Sequence, residues 1–245
     1  MDFEGKRILI TGGSSGLGRH LVCSLAQKRA KVAFNYSSND EGAKETQQKA
    51  LQFEPDVLMF KSSVLDSPAI SDMVRTLDST WGGIDILINN AGISQTLPVA
   101  LLEEEDWDKL MDINVKGMYL VTRAVLKSMI RQRSGRILNI GSLAGMRLIE
   151  APVHYATSKA AVKGFTESLA KEVGRYGILV NCLAPGLLEG GVGAGLPDYR
   201  LRDYLHHCAM GHLGTFDEIA ELCAFMVSDQ NAYMTGATLV ADGGL

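Results

Sequence analysis

Tyr155 and Lys159 are a pair of residues whose types and spacing could support proton transfer. Residues four apart share one face of an α-helix, so the phenol and the ammonium would be neighbours. A positive charge beside a phenol favours the ionised form and so brings proton transfer closer to neutral pH. Any half-buried Tyr beside a solvated Lys has the same spacing, and the catalytic interpretation therefore depends on motifs elsewhere in the chain.

A glycine-rich turn lies between an apolar run at residues 7–11 and a helix predicted at residues 18–29. After the first strand of a β-α-β unit, such a turn places the N-terminal amides of the helix where they can bind a pyrophosphate. Glycine permits positive φ and lets the backbone approach the ligand closely. We predict dinucleotide contacts along this turn, at Gly12, Ser14, Ser15, Gly16, Leu17 and Gly18.

The elements that must position these residues alternate between strand and helix. Apolar runs typical of parallel strands covered on both faces occupy residues 7–11, 32–36, 57–61, 84–89, 135–141, 178–184 and 237–241. Apolar stripes at helical spacing occupy residues 18–29, 40–53, 68–81, 104–133, 155–176 and 215–227. We therefore predict one α/β domain over residues 1–245, a Rossmann-type doubly wound parallel sheet of about seven strands flanked by helices.

The composition favours a globular protein over a membrane-spanning or nucleic-acid-binding one. The chain has 245 residues, of which 46% are hydrophobic and 21% charged. Its apolar stretches are far shorter than the roughly 20 residues that a membrane-spanning helix needs. A net charge of -4 without a basic block argues against a nucleic-acid surface. The acidic start at residues 1–5 is unlike a secretory leader, and we expect a cytoplasmic protein.

The cysteines and histidines do not suggest a disulfide or a metal site. Because there is no CxxC pair and the neighbours are apolar, we expect buried free thiols at Cys23, Cys182, Cys208 and Cys223. The adjacent His206 and His207 would point in different directions on a helix or a strand, and no third ligand is nearby. We therefore assign no metal.

Several further motifs occur in an order that resembles the short-chain dehydrogenase/reductase family over the whole chain. They are the Gly-x-x-x-Gly-x-Gly spacing of the turn, Asn-Asn-Ala-Gly at residues 89–92, Asp-Ile-Asn-Val at 112–115, a serine after an apolar run at 142 and Tyr-x-x-x-Lys at 155–159. The resemblance implies a nicotinamide-dependent oxidoreductase with a catalytic tetrad formed by Asn114, Ser142, Tyr155 and Lys159.

The resemblance also implies a role for each member of the tetrad in ketone reduction. Tyr155 would give a proton to the carbonyl oxygen while hydride leaves the nicotinamide, and Ser142 would orient the same oxygen. Lys159 would bias the phenol and hold the nicotinamide ribose, and Asn114 would anchor a water that relays protons to Lys159. From the residues alone, Ser142 could instead cap a helix or a strand-end turn, and Asn114 could be a buried amide at a helix kink.

The cofactor is predicted to be NADP(H). An NAD site normally places Asp or Glu about 20 residues beyond the turn, where it accepts both ribose hydroxyls and repels a phosphate. Tyr36 occupies that position here, and Ser37 and its neighbours offer hydrogen-bond donors with no carboxylate before Asp40. The resemblance implies further cofactor contacts at Ser63, Val64, Asn90, Ala91, Gly92, Tyr155, Lys159, Pro185, Gly186 and Leu188.

Two departures from the family pattern affect this site, and a lid borders it. Ser63 stands where many relatives have an Asp that holds the adenine, and no Thr follows Pro185-Gly186 to contact the nicotinamide amide. Residues 187–212 follow a strand end where ligands bind and should form a substrate lid, mobile at its glycine-rich run 190–195. We expect its apolar lining to come from Leu196, Tyr199, Tyr204, Leu205 and Met210.

Within the family, the segments 89–95, 113–117, 211–214 and 234–236 look most like the 3-oxoacyl-acyl-carrier-protein reductases. That subgroup implies NADPH-dependent reduction of the 3-oxo group of an acyl thioester carried on acyl carrier protein, with Tyr155 as general acid. The alternatives are an NAD(P)-dependent dehydrogenase of a free alcohol, sugar or steroid, and a non-catalytic NADP(H)-binding protein.

Three further features bear on partners and substrate. Arg131 and Arg133 could dock an acidic carrier protein or could belong to a solvated helix end. His154 could touch the substrate or be a surface imidazole. The resemblance implies self-association through the helices at 104–133 and 155–176, which gives a homodimer or a homotetramer.

Overall fold

The sheet is seen in a computed structural model that describes residues 1–147, 149–190 and 196–245. Within these residues, seven parallel strands form one sheet in the order β3-β2-β1-β4-β5-β6-β7. The strands are β1 Arg7–Thr11, β2 Lys31–Tyr36, β3 Val57–Lys61, β4 Ile86–Asn89, β5 Gly135–Ile140, β6 Ile178–Pro185 and β7 Thr238–Ala241. The chain reverses its direction of progress between β1 and β4, which makes the sheet doubly wound and confirms the predicted fold class.

Helices cover both faces of this sheet. They are α1 Gly16–Gln27, α2 Asp40–Ala50, α3 Ser67–Trp81, α4 Glu104–Met111, α5 Met118–Gln132, α6 Val153–Val173, α7 Asp198–His207 and α8 Phe216–Val227. A π-helical segment, Asp112–Gly117, joins α4 to α5, so the helix predicted at 104–133 is interrupted around Asn114. Single π-helical turns of this kind are frequent at functional sites.

The helix α7 is not among the predicted helices. Its sequence has leucines only at positions 201 and 205, and none of its residues is fully buried. An apolar stripe at helical spacing predicts a helix that packs on a core. Because α7 buries no side chain fully, its sequence lacks a clear stripe of this kind. Most of the glycine-rich run that we expected to be mobile, residues 191–195, lies outside the described residues.

Two apolar cores, one on each face of the sheet, hold β1 in place. Ile8 and Ile10 enter the core that contains Leu25 of α1, whereas Leu9 enters the core that contains Val121 of α5. Alternate side chains of a strand point to opposite faces, which explains this division. All five side chains are inaccessible to solvent. The carboxyl end of β1 is therefore a fixed support for the turn that follows it.

Two further sequence expectations concern membrane-spanning helices and the cysteine thiols. In the described part of the chain, no helix combines the length and the apolar character needed to cross a bilayer. The cysteines are free, as predicted, and Cys23 alone among them is only half-buried. Burial raises the pKa of Cys182 to about 11 and also raises the pKa of Cys223, so neither thiol is poised for reaction.

Candidate active site

A cleft of about 480 Å³ opens at the carboxyl ends of the strands, beside β1 and β4, between which the strand order reverses. Every residue predicted to contact the cofactor lines this cleft. Ser142 lines it as well, beside Tyr155 and Lys159, whereas Asn114 lies directly behind the lining. The structure thus brings the glycine-rich turn and the predicted tetrad to one place. Among the described residues, no group of three or more His, Cys, Asp or Glu side chains is arranged to hold a metal ion.

The glycine-rich turn is shaped so that only glycine fits at its tight positions. Gly12 and Gly16 have φ of +71° and +51°. A Cβ on Gly18 would lie 2.0 Å from the carbonyl oxygen of Gly12, so α1 could not approach β1 this closely with a larger residue. Ser15 precedes α1 without capping it through its side chain, and the first turn of α1 has no acidic residue. The helix amides are therefore available to a phosphate, and the turn fits a dinucleotide.

Asn90 holds the turn in place through its side chain. Its Nδ2 donates to the carbonyl oxygens of Thr11 at 2.9 Å and Gly12 at 3.2 Å. The Thr11 hydroxyl oxygen accepts in return from the backbone N–H groups of Asn90 and Ala91, both at 3.0 Å. These four bonds tie the end of β4 to the end of β1. The Asn-Asn-Ala-Gly motif therefore supports the shape of the cleft as well as lining it.

The predicted acid and its neighbours lie at the start of α6 and the end of β5. Lys159 is 7% exposed, and its Nζ donates to the carbonyl oxygen of Ile140 at 2.9 Å. The same Nζ lies 5.8 Å from the centre of the Tyr155 ring. Ser142 accepts from the backbone N–H of Ala144 at 3.2 Å, so it does cap a strand-end turn. Because this bond uses only its oxygen, the hydroxyl hydrogen stays free to donate into the cleft.

Asn114 is buried in the π-helical segment and holds two parts of the chain together. Its Oδ1 accepts from the N–H of Ile93 at 2.8 Å, and its Nδ2 donates to the carbonyl oxygen of Ile93 and to the Ser158 hydroxyl, both at 3.0 Å. Ser158 lies next to Lys159 in α6. Asn114 is therefore a buried, hydrogen-bonded amide at the helix interruption, which is one of the two predictions made for it. It also fixes the loop after β4, beside Gly92.

The other end of the cleft is lined by Tyr36 and Ser37. Burial and the neighbouring Asp40 raise the pKa of Tyr36, so its phenol stays a hydrogen-bond donor. Lys61 donates to Asp40 at 2.7 Å and holds the pKa of that carboxyl below its usual range. The carboxylate that follows Tyr36 is thus paired with a cation. Arg19 lies nearby but is ion-paired with Glu45.

The lid places only some of its predicted residues in the cleft. Leu196 and Tyr204 line it, whereas Leu205 does not, and Tyr199 and Met210 are 60% and 63% exposed. The prediction for these three was wrong. Because α7 is helical, Tyr199 and Tyr204, five positions apart, point to different faces.

His154 is neither at the surface nor in the cleft, so both predictions for it were wrong. Its side chain is fully buried, and among the described residues neither ring nitrogen has a hydrogen-bond partner. Burial lowers the pKa of His154, which keeps the imidazole neutral, although Asp106 opposes this shift. The helix α4 packs on α6 and covers this position. The interrupted helix that brings α4 there was not visible in the sequence.

A buried chain of amides and hydroxyls supports the site and was missed by sequence reasoning. Asn89 donates to Asn139 at 2.8 Å and to Thr122 at 2.9 Å, and Asn139 donates to Thr166 at 2.9 Å. These bonds join β4 and β5 to α5 and α6. The signal was present, because Asn89 and Asn139 are polar residues near the carboxyl ends of mainly apolar neighbouring strands and lie directly opposite each other.

The structure does not bring Arg131 and Arg133 to the cleft. They lie at the end of α5, which runs back toward the amino end of β5 and away from Tyr155. Arg131 is 67% exposed and lies 3.4 Å from Asp78, and the Arg133 guanidinium lies 3.4 Å from the carbonyl oxygen of Arg175. Any contact that they make with a partner is therefore separate from the chemistry.

Known proteins resemble this chain over its full length. A family model described as enoyl-(acyl carrier protein) reductase matches residues 12–245. The 3-oxoacyl-acyl-carrier-protein reductases FabG of Thermotoga maritima and of Escherichia coli K12 are each 36% identical to it, over 100% of this chain and 99% of their own length. A solved levodione reductase superposes with a TM-score of 0.93 at 33% identity, covering 99% of this chain and 98% of that one.

Proposed function

Because the chain belongs to the short-chain dehydrogenase/reductase family, we propose that this oxidoreductase uses NADPH to reduce the 3-oxo group of an acyl thioester carried on acyl carrier protein. The observation that carries the proposal is that Ser142, Tyr155 and Lys159 meet the glycine-rich turn in one cleft. Relatives that cover the whole chain bear the name of a reductase of this substrate.

The residues of the cleft suit the charge that develops in ketone reduction. The bound cofactor would supply the hydride, which leaves negative charge on the carbonyl oxygen. Tyr155 would give a proton to that oxygen as general acid. Ser142 keeps its hydrogen free and would donate a second bond to the same oxygen. Donors fixed in place before the reaction stabilise the developing charge without reorganisation.

Lys159 would hold the nicotinamide ribose, and Lys159 and Asn114 together would supply the proton to Tyr155. One N–H of Lys159 is used by Ile140, and two remain for the nicotinamide ribose and for proton delivery toward Tyr155. The side-chain amide of Asn114 is engaged by Ile93 and Ser158. We therefore assign the relaying water to the main-chain carbonyl of Asn114.

The preference for NADP(H) follows from the end of the cleft near β2. Ser37 is exposed there and would donate to a 2′-phosphate, whereas the phenol of Tyr36 is engaged by Asp40. Asp40 is paired with Lys61 and would repel that phosphate less than a free carboxylate. Ser63 and Val64 would contact the adenine, with Val64 also packed on Gly117.

The substrate and carrier would meet the protein at different places. Leu196 and Tyr204 give the lid an apolar side that suits an acyl chain. An acidic carrier would dock near Arg131 and Arg133 and change affinity without changing the chemical step. The chain would work as a homodimer or homotetramer joined through α5 and α6.

The test is NADPH consumption with a 3-oxobutanoyl group presented on acyl carrier protein and, separately, on a small thiol. We expect turnover with both, a lower KM with the carrier and much slower turnover with NADH. An equal KM for both forms would contradict carrier dependence. No turnover, with NADPH still bound, would overturn the proposed substrate and leave the cofactor proposal standing.

Two other substrates have specific support. The similarity to a levodione reductase favours a free ketone, and the description of the family model favours an enoyl thioester. The same assay with a free cyclic ketone and with a 2-butenoyl thioester separates these possibilities. We expect the 3-oxo thioester to exceed the enoyl thioester in kcat/KM, because we assign Tyr155 and Ser142 to a single carbonyl oxygen. We expect it to exceed the free ketone as well, because Leu196 and Tyr204 suit an acyl chain.

A further inference from the structure

Tyr204 of α7 lies over the end of β6 and joins three segments of the chain. Its hydroxyl oxygen accepts from the backbone N–H of Leu187 at 3.0 Å, and the hydroxyl donates to the carbonyl oxygen of Asp242 at 3.2 Å. Leu187 follows β6 and Asp242 follows β7, and these are neighbouring strands. One phenol therefore ties the lid helix to two strand ends at the floor of the cleft.

The contact is close because Gly186 has no side chain. A Cβ on Gly186 would lie 2.2 Å from the Tyr204 hydroxyl oxygen and 2.9 Å from the Cα of Asp242. The backbone N–H of Gly186 meanwhile donates to Ala241 at 2.9 Å. Burial raises the pKa of Tyr204, so the phenol keeps its hydrogen and its bond to Asp242.

The turn after β6 is fixed on both sides of Leu188. The N–H of Leu187 is held by Tyr204, and the N–H of Glu189 donates to Gly214 at 2.9 Å. Leu188 lies between them and lines the cleft beside Tyr155 and Lys159. The sequence Leu187-Leu188-Glu189-Gly190 has no hydroxyl that could contact a carboxamide. Any contact of this turn with the carboxamide would come from its backbone N–H and C=O groups, and their position depends on how rigidly the turn is held.

We propose that Tyr204 is a positioning residue for the nicotinamide end of the cofactor site, which it provides by fixing Leu187 and so the cleft-lining backbone at Gly186 and Leu188. The inference rests on the cofactor assignment made above and goes beyond it. It makes the lid helix part of the cofactor site as well as a cover for the substrate. The lid and the nicotinamide end should therefore respond together to a change at Tyr204.

The chain offers matched controls for this idea. Tyr199 is on the same helix but is 60% exposed and outside the cleft, so Tyr199→Phe removes an equivalent hydroxyl without touching the turn. Cys208 ends α7, and its thiol lies 3.4 Å from the carbonyl oxygen of Gly243, so Cys208→Ala loosens the end of α7 without touching Leu187 or the cleft lining. Neither control residue has a role in the chemistry proposed above.

The experiment measures binding of NADPH and of adenosine 2′,5′-bisphosphate, which lacks the nicotinamide, by calorimetry in the full-length protein. We expect Tyr204→Phe to weaken NADPH about fivefold, as for one lost hydrogen bond, and to leave the bisphosphate within about twofold. Tyr199→Phe and Cys208→Ala should leave both affinities near those of the unchanged protein. Thermal unfolding without ligand checks that Tyr204→Phe is folded.

Three outcomes would overturn the inference. NADPH affinity unchanged in Tyr204→Phe would show that the hydroxyl positions nothing at that end. Equal losses for NADPH and the bisphosphate, or the same NADPH loss in Cys208→Ala, would mean a general role in lid packing. Absence of turnover with 3-oxo thioesters would contradict the proposed substrate but not this inference, because the binding pattern does not depend on the substrate.

Discussion

The two sides of the cleft are built in different ways. The turn side comprises residues 11–18 and 89–92, and it is shaped by glycine backbone and by short bonds between the ends of β1 and β4. The lid side comprises residues 185–190 and 196–214, and side chains from distant segments hold it, such as Tyr204 on Asp242 and Arg200 on Glu150. The turn side belongs to the core, whereas the lid side is attached to it.

Because of this difference, the two sides should respond differently to amino-acid substitutions. A core-supported turn has no alternative arrangement, because both faces of β1 are fully buried. A lid held by a few surface contacts can open locally at a small cost in free energy. Substitutions on the turn side should therefore reduce both stability and binding, and those on the lid side mainly binding.

The largest effect on stability is expected for Gly18→Ala on the turn side. The new Cβ would lie 2.0 Å from the Gly12 carbonyl oxygen and 2.7 Å from Nδ2 of Asn90, and neither group can move without breaking their bond. Overpacking of this kind costs about 1–3 kcal/mol, which lowers Tm by roughly 5 °C. NADPH binding should weaken by at least about tenfold, measured by calorimetry.

The control for this change is Gly174→Ala, at an exposed helix end with open space around the glycine. It should be neutral or slightly stabilising, by up to about 1 kcal/mol. Equal Tm values for the two variants would show that the turn is not packed as described.

Gly186→Ala makes the corresponding change on the lid side. Its Cβ would meet the hydroxyl end of Tyr204 at 2.2 Å, which forces the phenol and α7 outward. We expect NADPH affinity to fall about fivefold while Tm changes by less than in Gly18→Ala. Thermal unfolding and calorimetry on the same samples measure both. A loss of Tm as large as that of Gly18→Ala would break the comparison between the two sides.

The sequence could predict the turn side well and the lid side poorly, because the first depends on local sequence and the second on contacts between distant segments. Glycine spacing after an apolar strand has a local cause, so the bounds of β1 were predicted correctly, and every turn residue predicted to contact the cofactor lines the cleft. The contacts of Tyr204 depend on Asp242, far along the chain, and no local pattern reports them. The burial of His154 likewise depends on the π-helical segment, and the position of Arg131 depends on the direction of α5.

A smaller effect, on the choice of cofactor, is expected for Ser37→Asp, which lines the adenosine end of the cleft next to the turn side. A carboxylate there would repel a 2′-phosphate and accept from ribose hydroxyls, which shifts the ratio of kcat/KM toward NADH by about tenfold. Ser38→Asp is the matched control, because Ser38 is exposed but does not line the cleft. If both variants kept the original cofactor ratio, the phosphate would bind elsewhere.

The smallest effect concerns the pH dependence of stability at His154, away from both sides of the cleft. Its pKa is lowered in the folded protein, so the unfolded chain binds the proton more readily. The resulting stability is present above the unfolded pKa of about 6.5 and is lost as pH falls toward the folded value. We expect the Tm of His154→Asn to depend less on pH between about 7.5 and 5.5 than that of the unchanged protein.

His206→Asn is the control for this measurement, because His206 is an exposed imidazole on α7. Its Tm should follow the pH dependence of the unchanged protein. Identical pH profiles for all three proteins would mean that His154 does not titrate on unfolding in this range.

The most direct test of the proposed chemistry is Tyr155→Phe, measured for both NADPH binding and turnover of a 3-oxo thioester. The phenylalanine keeps the ring beside Lys159 and removes only the proton that we assign to the carbonyl oxygen. The account predicts unchanged NADPH affinity with kcat lower by about 10²–10⁴. A variant that binds NADPH and turns over at the rate of the unchanged protein would contradict the role of Tyr155 as the acid.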